Sequence, residues 1–151
     1  MAFHFTLEAV LRYRQSLEER EQQRWRVLLA ARTKLRQEIQ QMCDRRLHLL
    51  SALKQNLEQA PVAAVEIELV TIQLNGIERQ QEILRARLGK LETEIAEQAA
   101  RYRQARQQRE VLASLRERQW CDYRLRQRRR EQAALDELHL LRRSWTRAGF
   151  A

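Results

Sequence analysis

The side chains of this 151-residue chain best suited to metal or nucleophilic chemistry are three histidines and two cysteines. Their spacing supports neither. His4, His48 and His139 are dispersed, and none stands at ligand spacing from another His or a Cys. Cys43 and Cys121 lack a CxxC partner and read as reduced, unpaired thiols of a cytoplasmic protein. Gly89-Lys90 has neither the preceding glycine nor the following Ser or Thr of a phosphate loop. The sequence thus predicts no catalytic residue, no metal and no cofactor, and no enzyme.

Recognition chemistry is better supplied. Formal net charge is +9, and 26 of the 29 basic residues are Arg. A GC-rich genome would give the same Arg bias, so the bias alone decides nothing. Its placement says more: residues 116–147 hold ten Arg against five acids, with Trp120, Tyr123, Leu125 and Trp145 interspersed. Arginine pairs with carboxylates through two nitrogens, and Trp supplies large contact area. Arg116, Gln119, Trp120, Tyr123, Arg124, Arg126, Arg128, Arg129 and Arg130 are therefore candidates for insertion into an acidic socket. A solvated charged helix is the plainer reading. The run also looks superficially like the basic region of a zipper, but those precede a parallel coil and read adenine with Asn. Here the order is reversed and the run has no Asn, so specific nucleic-acid binding is not expected.

Such residues need a scaffold, and the hydrophobic pattern supplies one. From Ile67 a stripe runs through Val70, Leu74, Ile77, Gln81, Leu84, Leu88, Leu91, Ile95, Gln98, Tyr102, Ala105, Arg109 and Leu112. Eleven of its fourteen positions are apolar, in strict alternation of three and four. That is a heptad seam, which keeps one face of a helix against a partner. A poorer seam precedes it from Leu7 to Leu53, with four charged positions (Arg14, Glu21, Arg32, Arg46) and one slip near Leu17. Long Arg stems can lie along apolar surface while their heads stay in water.

Pro61, the single proline, forbids an uninterrupted helix. The reading is one coiled-coil domain over residues 1–151: helix 1 about 5–58 with Thr6 as a weak cap, a turn near 59–63, helix 2 about 64–145. Thr146 to Ala151 are expected to fray, with Gly149 as a stop signal. A short turn between seamed helices makes an antiparallel hairpin in which facing residue numbers sum to roughly 122, pairing Leu28 with Ile95 and Leu7 with Leu115. Helix 2 then outruns helix 1 beyond about residue 117. Its seam decays there, to Arg116, Gln119, Tyr123, Arg126, Arg130, Ala133 and Glu137. The fold class is all-α: a long antiparallel two-helix coiled coil with a C-terminal single-helix overhang of about 30 residues.

Near the turn, helix 2 carries a second stripe. Val65, Leu69 and Ile72, followed by Gly76 and Ile83, fall at heptad positions that point away from helix 1. Scattered surface apolar residues are normal. Spacings of four and three favour a docking patch that fills pockets on a partner.

The N-terminus lacks a basic region followed by an apolar run, so no signal peptide is expected. No stretch approaches the ~18 apolar residues of a transmembrane segment.

At both ends the chain resembles the FliJ family of flagellar export proteins, whose relatives are the YscO-type proteins of injectisomes. Phe3-His4-Phe5-Thr6-Leu7-Glu8-Ala9-Val10-Leu11-Arg12-Tyr13-Arg14 is similar to that family's opening. So are Leu115-Arg116-Glu117-Arg118, Tyr123 and Glu131-Gln132-Ala133-Ala134-Leu135-Asp136-Glu137 within the stretch from Leu112 to Arg142. Residues 30–110 are generic coiled coil. The resemblance implies a soluble stalk of the type III export apparatus, similar to the axial subunit of rotary ATP synthases. It would sit in the hexameric export ATPase (FliI-like), promote its assembly and activity, and touch the cytoplasmic domain of the export gate (FlhA-like). Export chaperones are further implied partners, and the implied location is cytoplasmic, peripheral to the inner membrane. By this analogy residues 116–130 enter the ring, and Val65, Leu69, Ile72 and Ile83 meet the gate. The alternative is a basic coiled-coil protein binding nucleic acid or an anionic membrane surface.

Overall fold

The computed structural model describes residues 3–59, 61 and 63–149, with the backbone alone for 146–148. It is an all-α two-helix hairpin, with no strand among the described residues. Helix α1 spans Glu8–Gln59 (52 residues) and α2 spans Ala64–Ala148 (85 residues). Of the expected turn, Pro61 and Ala63 are exposed, and Ala60 and Val62 lie outside the described residues.

Two helix limits differ from expectation. Helix α1 starts at Glu8, because residues 6 and 7 form a turn in which the Glu8 N–H donates to the Phe5 carbonyl at 3.2 Å. Helix α2 continues through 146–148, and the Gly149 N–H donates to the Trp145 carbonyl at 3.0 Å. Of the residues expected to fray, Phe150 and Ala151 lie outside the described residues.

The chain divides into two compact units, one being Glu19–Gln104. Within it, Ile77, Gln81, Ile95 and Gln98 are buried, while Leu28, Leu35, Ile39, Met42, Leu49 and Leu53 of α1 are half-buried. All ten are seam positions. A pair of helices covers one face of each, so burial follows heptad position even where the residue is Gln. Both glutamines find partners, as buried amides must. Gln81 donates to the Cys43 sulfur at 3.3 Å. Gln98 donates to the Glu21 carbonyl at 3.1 Å and to the Glu21 carboxylate. Across the helices Arg36 meets Glu92 at 3.0 Å and Arg46 meets Glu78 at 2.8 Å. Cross-helix partners in this unit sum to between 119 and 128, with Arg46–Glu78 and Cys43–Gln81 at 124, which scatters about the expected 122.

The other unit joins Met1–Glu18 to Ala105–Ala151. Among its described residues the most buried side chains are Phe5 and Leu11, each 3% exposed. Arg14 donates to Gln108 at 2.6 Å, and Arg109 holds Glu18. From residue 128 to residue 145 every side chain of α2 is exposed, which is the single-helix overhang.

Candidate functional surfaces

Two surfaces, each confined to one unit, carry the candidate residues. In Glu19–Gln104, Val65, Leu69, Ile72 and Ile83 are each more than half exposed. The neighbouring seam residues Ile77 and Gln81 are buried, so the apolar strip stands on the outer side of α2. Gly76 lies in the same strip, and a Cβ added there would meet nothing within 4 Å beyond its own stretch of helix. The strip is contiguous along its first two turns, and Ile83 stands further along the helix.

The second surface lies in the other unit and starts as a clasp. The N-terminal residues 3–7 are not helical, and they lie across α2 as a strap. Phe3 meets the edge of Trp120 at a centroid distance of 5.2 Å and Tyr123 at 5.7 Å. Trp120 and Tyr123, one turn apart, stack at 5.8 Å. Below them Arg116 pairs with Glu8 at 3.1 Å. Aromatic side chains arranged this way contribute about 0.5–1.5 kcal/mol per pair beyond their buried area.

As expected, α1 gives out near residue 117, since Glu8 at its start pairs with Arg116, but Phe3 packs on α2 beyond that point as far as Tyr123, which is half-buried. Arg116, Trp120 and Tyr123 are engaged within the chain, whereas Gln119, Arg124, Arg126, Arg128, Arg129 and Arg130 are exposed. At 100° per residue, Arg124, Arg126, Arg128, Arg129 and Arg130 leave no gap wider than about 120° around the helix. They form a collar, not a one-sided patch.

Sequence reasoning missed the strap. Phe3 and Phe5 stand two residues apart ahead of α1, an extended-chain spacing that no helical periodicity reveals. The pair was visible as part of a family resemblance, but its packing partner lies over a hundred residues away.

Among the described residues no group of His, Cys, Asp or Glu is placed to hold a metal, and no helix is long and apolar enough to cross a membrane. The concavities are shallow and open: one lies between Phe3, Leu11 and Gln15 on one side and Ala113, Arg116 and Trp120 on the other, and others run along α2 alone. What these surfaces offer chemically is ion pairing and apolar contact with another macromolecule. No protein-family model, curated protein or solved structure matches the chain.

Proposed function

We propose that the chain is a non-enzymatic stalk of a type III protein export apparatus, inserting its arginine-collared end into the export ATPase ring. Besides the resemblance to the FliJ family, one observation carries this reading: α2 outruns its partner helix, and the exposed part starts with arginines on all sides. A ring-shaped socket contacts a central helix from every direction. A duplex or a flat membrane contacts one side, so a collar leaves part of its charge unused there. Each Arg can pair with a carboxylate of a different subunit, and such charge-assisted bonds are roughly twice as strong as neutral ones.

The outward strip of Val65, Leu69 and Ile72, with Ile83 beyond, is the proposed contact for the export gate's cytoplasmic domain. Helix-on-groove packing suits side chains at spacings of four and three. The two surfaces then couple the ATPase to the gate, and export chaperones are further proposed partners.

ATP hydrolysis by the export ATPase, titrated with the chain, tests the first contact. Arg124→Glu with Arg128→Glu and Arg129→Glu should abolish stimulation, and unchanged stimulation rejects the collar. Leu69→Asp with Ile72→Asp should remove gate binding in a pull-down while leaving stimulation intact. Retained gate binding rejects the strip. DNA affinity that is strong and falls steeply with salt, without ATPase stimulation, would instead favour a nucleic-acid partner.

A further inference from the structure

Beyond the arginine collar, the exposed helix regains a heptad seam in a new frame. Ala134, Leu138, Leu141 and Trp145 follow one another at spacings of four, three and four. The seam that ends at Leu112 would continue through Ala133 and Glu137, one residue out of step, so this stripe is separate. Leu138, Leu141 and Trp145 are 62%, 52% and 80% exposed, and α1 does not reach them.

We infer that residues 134–145 form a self-pairing segment, which packs antiparallel against the same segment of a second copy of this chain. The stretch is self-complementary about the point between His139 and Leu140. When facing residue numbers sum to 279, Ala134 lies opposite Trp145 and Leu138 opposite Leu141, giving four layers by symmetry. Small faces large in the outer layers, which is how facing helices fill a seam. Asp136 and Glu137 of one copy then lie level with Arg143 and Arg142 of the other.

Charge fixes both the occupant and the direction. Between residues 134 and 145 two acids balance two arginines, so the segment carries no net charge to attract an anionic lipid surface or an acidic helix. A parallel arrangement would set the two collars side by side, at the 8–10 Å spacing of packed helices. The antiparallel one separates Arg128 from its counterpart by 23 residues, or about 35 Å at 1.5 Å per residue. That is several times the screening length of about 8 Å at physiological salt. The clasped region does not interfere: Trp120 and Tyr123 of the second copy fall at levels 159 and 156, beyond Trp145. Four layers make a small interface, which places the dimer among weak, concentration-dependent associations.

Sedimentation equilibrium of the full chain, up to several hundred micromolar, tests the pairing. A reversible monomer–dimer equilibrium is expected, and Leu138→Asp with Leu141→Asp should raise its dissociation constant by about tenfold or more. Both leucines are exposed in the single chain, so circular dichroism should be unchanged. Spin labels placed in a Cys43→Ser, Cys121→Ser background read the direction. A label at position 140 should give a short distance between copies, and one at position 128 a distance near 35 Å. A strictly monomeric chain, a dimer indifferent to the two Asp substitutions, or short distances at both positions would each overturn the inference. So would a monomer whose Trp145 binds phosphatidylglycerol vesicles.

Discussion

Arg109 grips Glu18 across the helix pair through two nitrogens, Nε at 2.7 Å and Nη2 at 3.3 Å. Arg109 is one of three polar residues in an otherwise apolar seam, and its side chain is 28% exposed against 15% for Glu18. A fork-shaped bond to a largely covered carboxylate is worth more than a surface ion pair. Arg109→Ala leaves that carboxylate without its main partner and should cost about 1–3 kcal/mol in urea unfolding. Arg109→Leu with Glu18→Leu should recover most of it, since an apolar layer suits the seam. Equal losses in the single and double variants would mean that the pair contributes little.

Trp25 should tolerate losing its ring nitrogen. It stacks on Tyr102 at a centroid distance of 5.7 Å and an interplanar angle of 16°. Its Nε1–H is buried without a hydrogen-bond partner. Such a donor costs about 1–3 kcal/mol of desolvation, which offsets much of what the indole gains by packing. Trp25→Phe keeps an aromatic face against Tyr102, so thermal unfolding should change by less than about 1 kcal/mol. A loss typical of a large core deletion, about 3 kcal/mol, would mean that the nitrogen is satisfied in solution.

The strap gives a sharper test. Phe5 is 3% exposed although it precedes the helix, and its neighbour Phe3 covers Trp120. Phe5→Ala should destabilise by about 3 kcal/mol, the usual cost of emptying an aromatic site. Release of the strap should also shift Trp120 fluorescence to longer wavelength. A variant with wild-type stability and emission would show that the strap does not clasp α2.

Glu110 sets an acid dependence. Its carboxyl titrates below the ordinary 4.5, chiefly because Arg106 Nε donates to it at 2.8 Å. Desolvation opposes this, and the charges of Arg106 and Arg109 add to the lowering. A carboxylate depressed on folding binds protons more readily when unfolded. Its contribution is therefore full above about pH 4.5 and is lost as pH falls through the lowered value. Glu110→Gln should flatten the fall in melting temperature over that window. An identical acid slope would exclude Glu110 as a contributor.

Much of this fold was legible because position in a heptad, more than residue type, decides burial. Gln81, Gln98 and Arg109 belong to the seam by spacing alone, and the structure buries the first two and pairs the third. The decay of the seam past Leu112 likewise marks where α1 gives out. Two features escaped. The strap is non-helical chain ending in a turn, invisible to a helical period, and its contacts join opposite ends of the sequence. The stripe from Ala134 to Trp145 is hidden because it lies one residue out of the seam's frame, about 100° around the helix, where that frame falls on Ala133 and Glu137.

Native mass spectrometry of the chain mixed with the assembled export ATPase tests the stalk reading most directly. A central helix admits one occupant, so a complex of one chain with six ATPase subunits is expected, and it should be lost when Arg124, Arg128 and Arg129 are changed to Glu. Absence of any complex, or several chains bound around one hexamer, would contradict it.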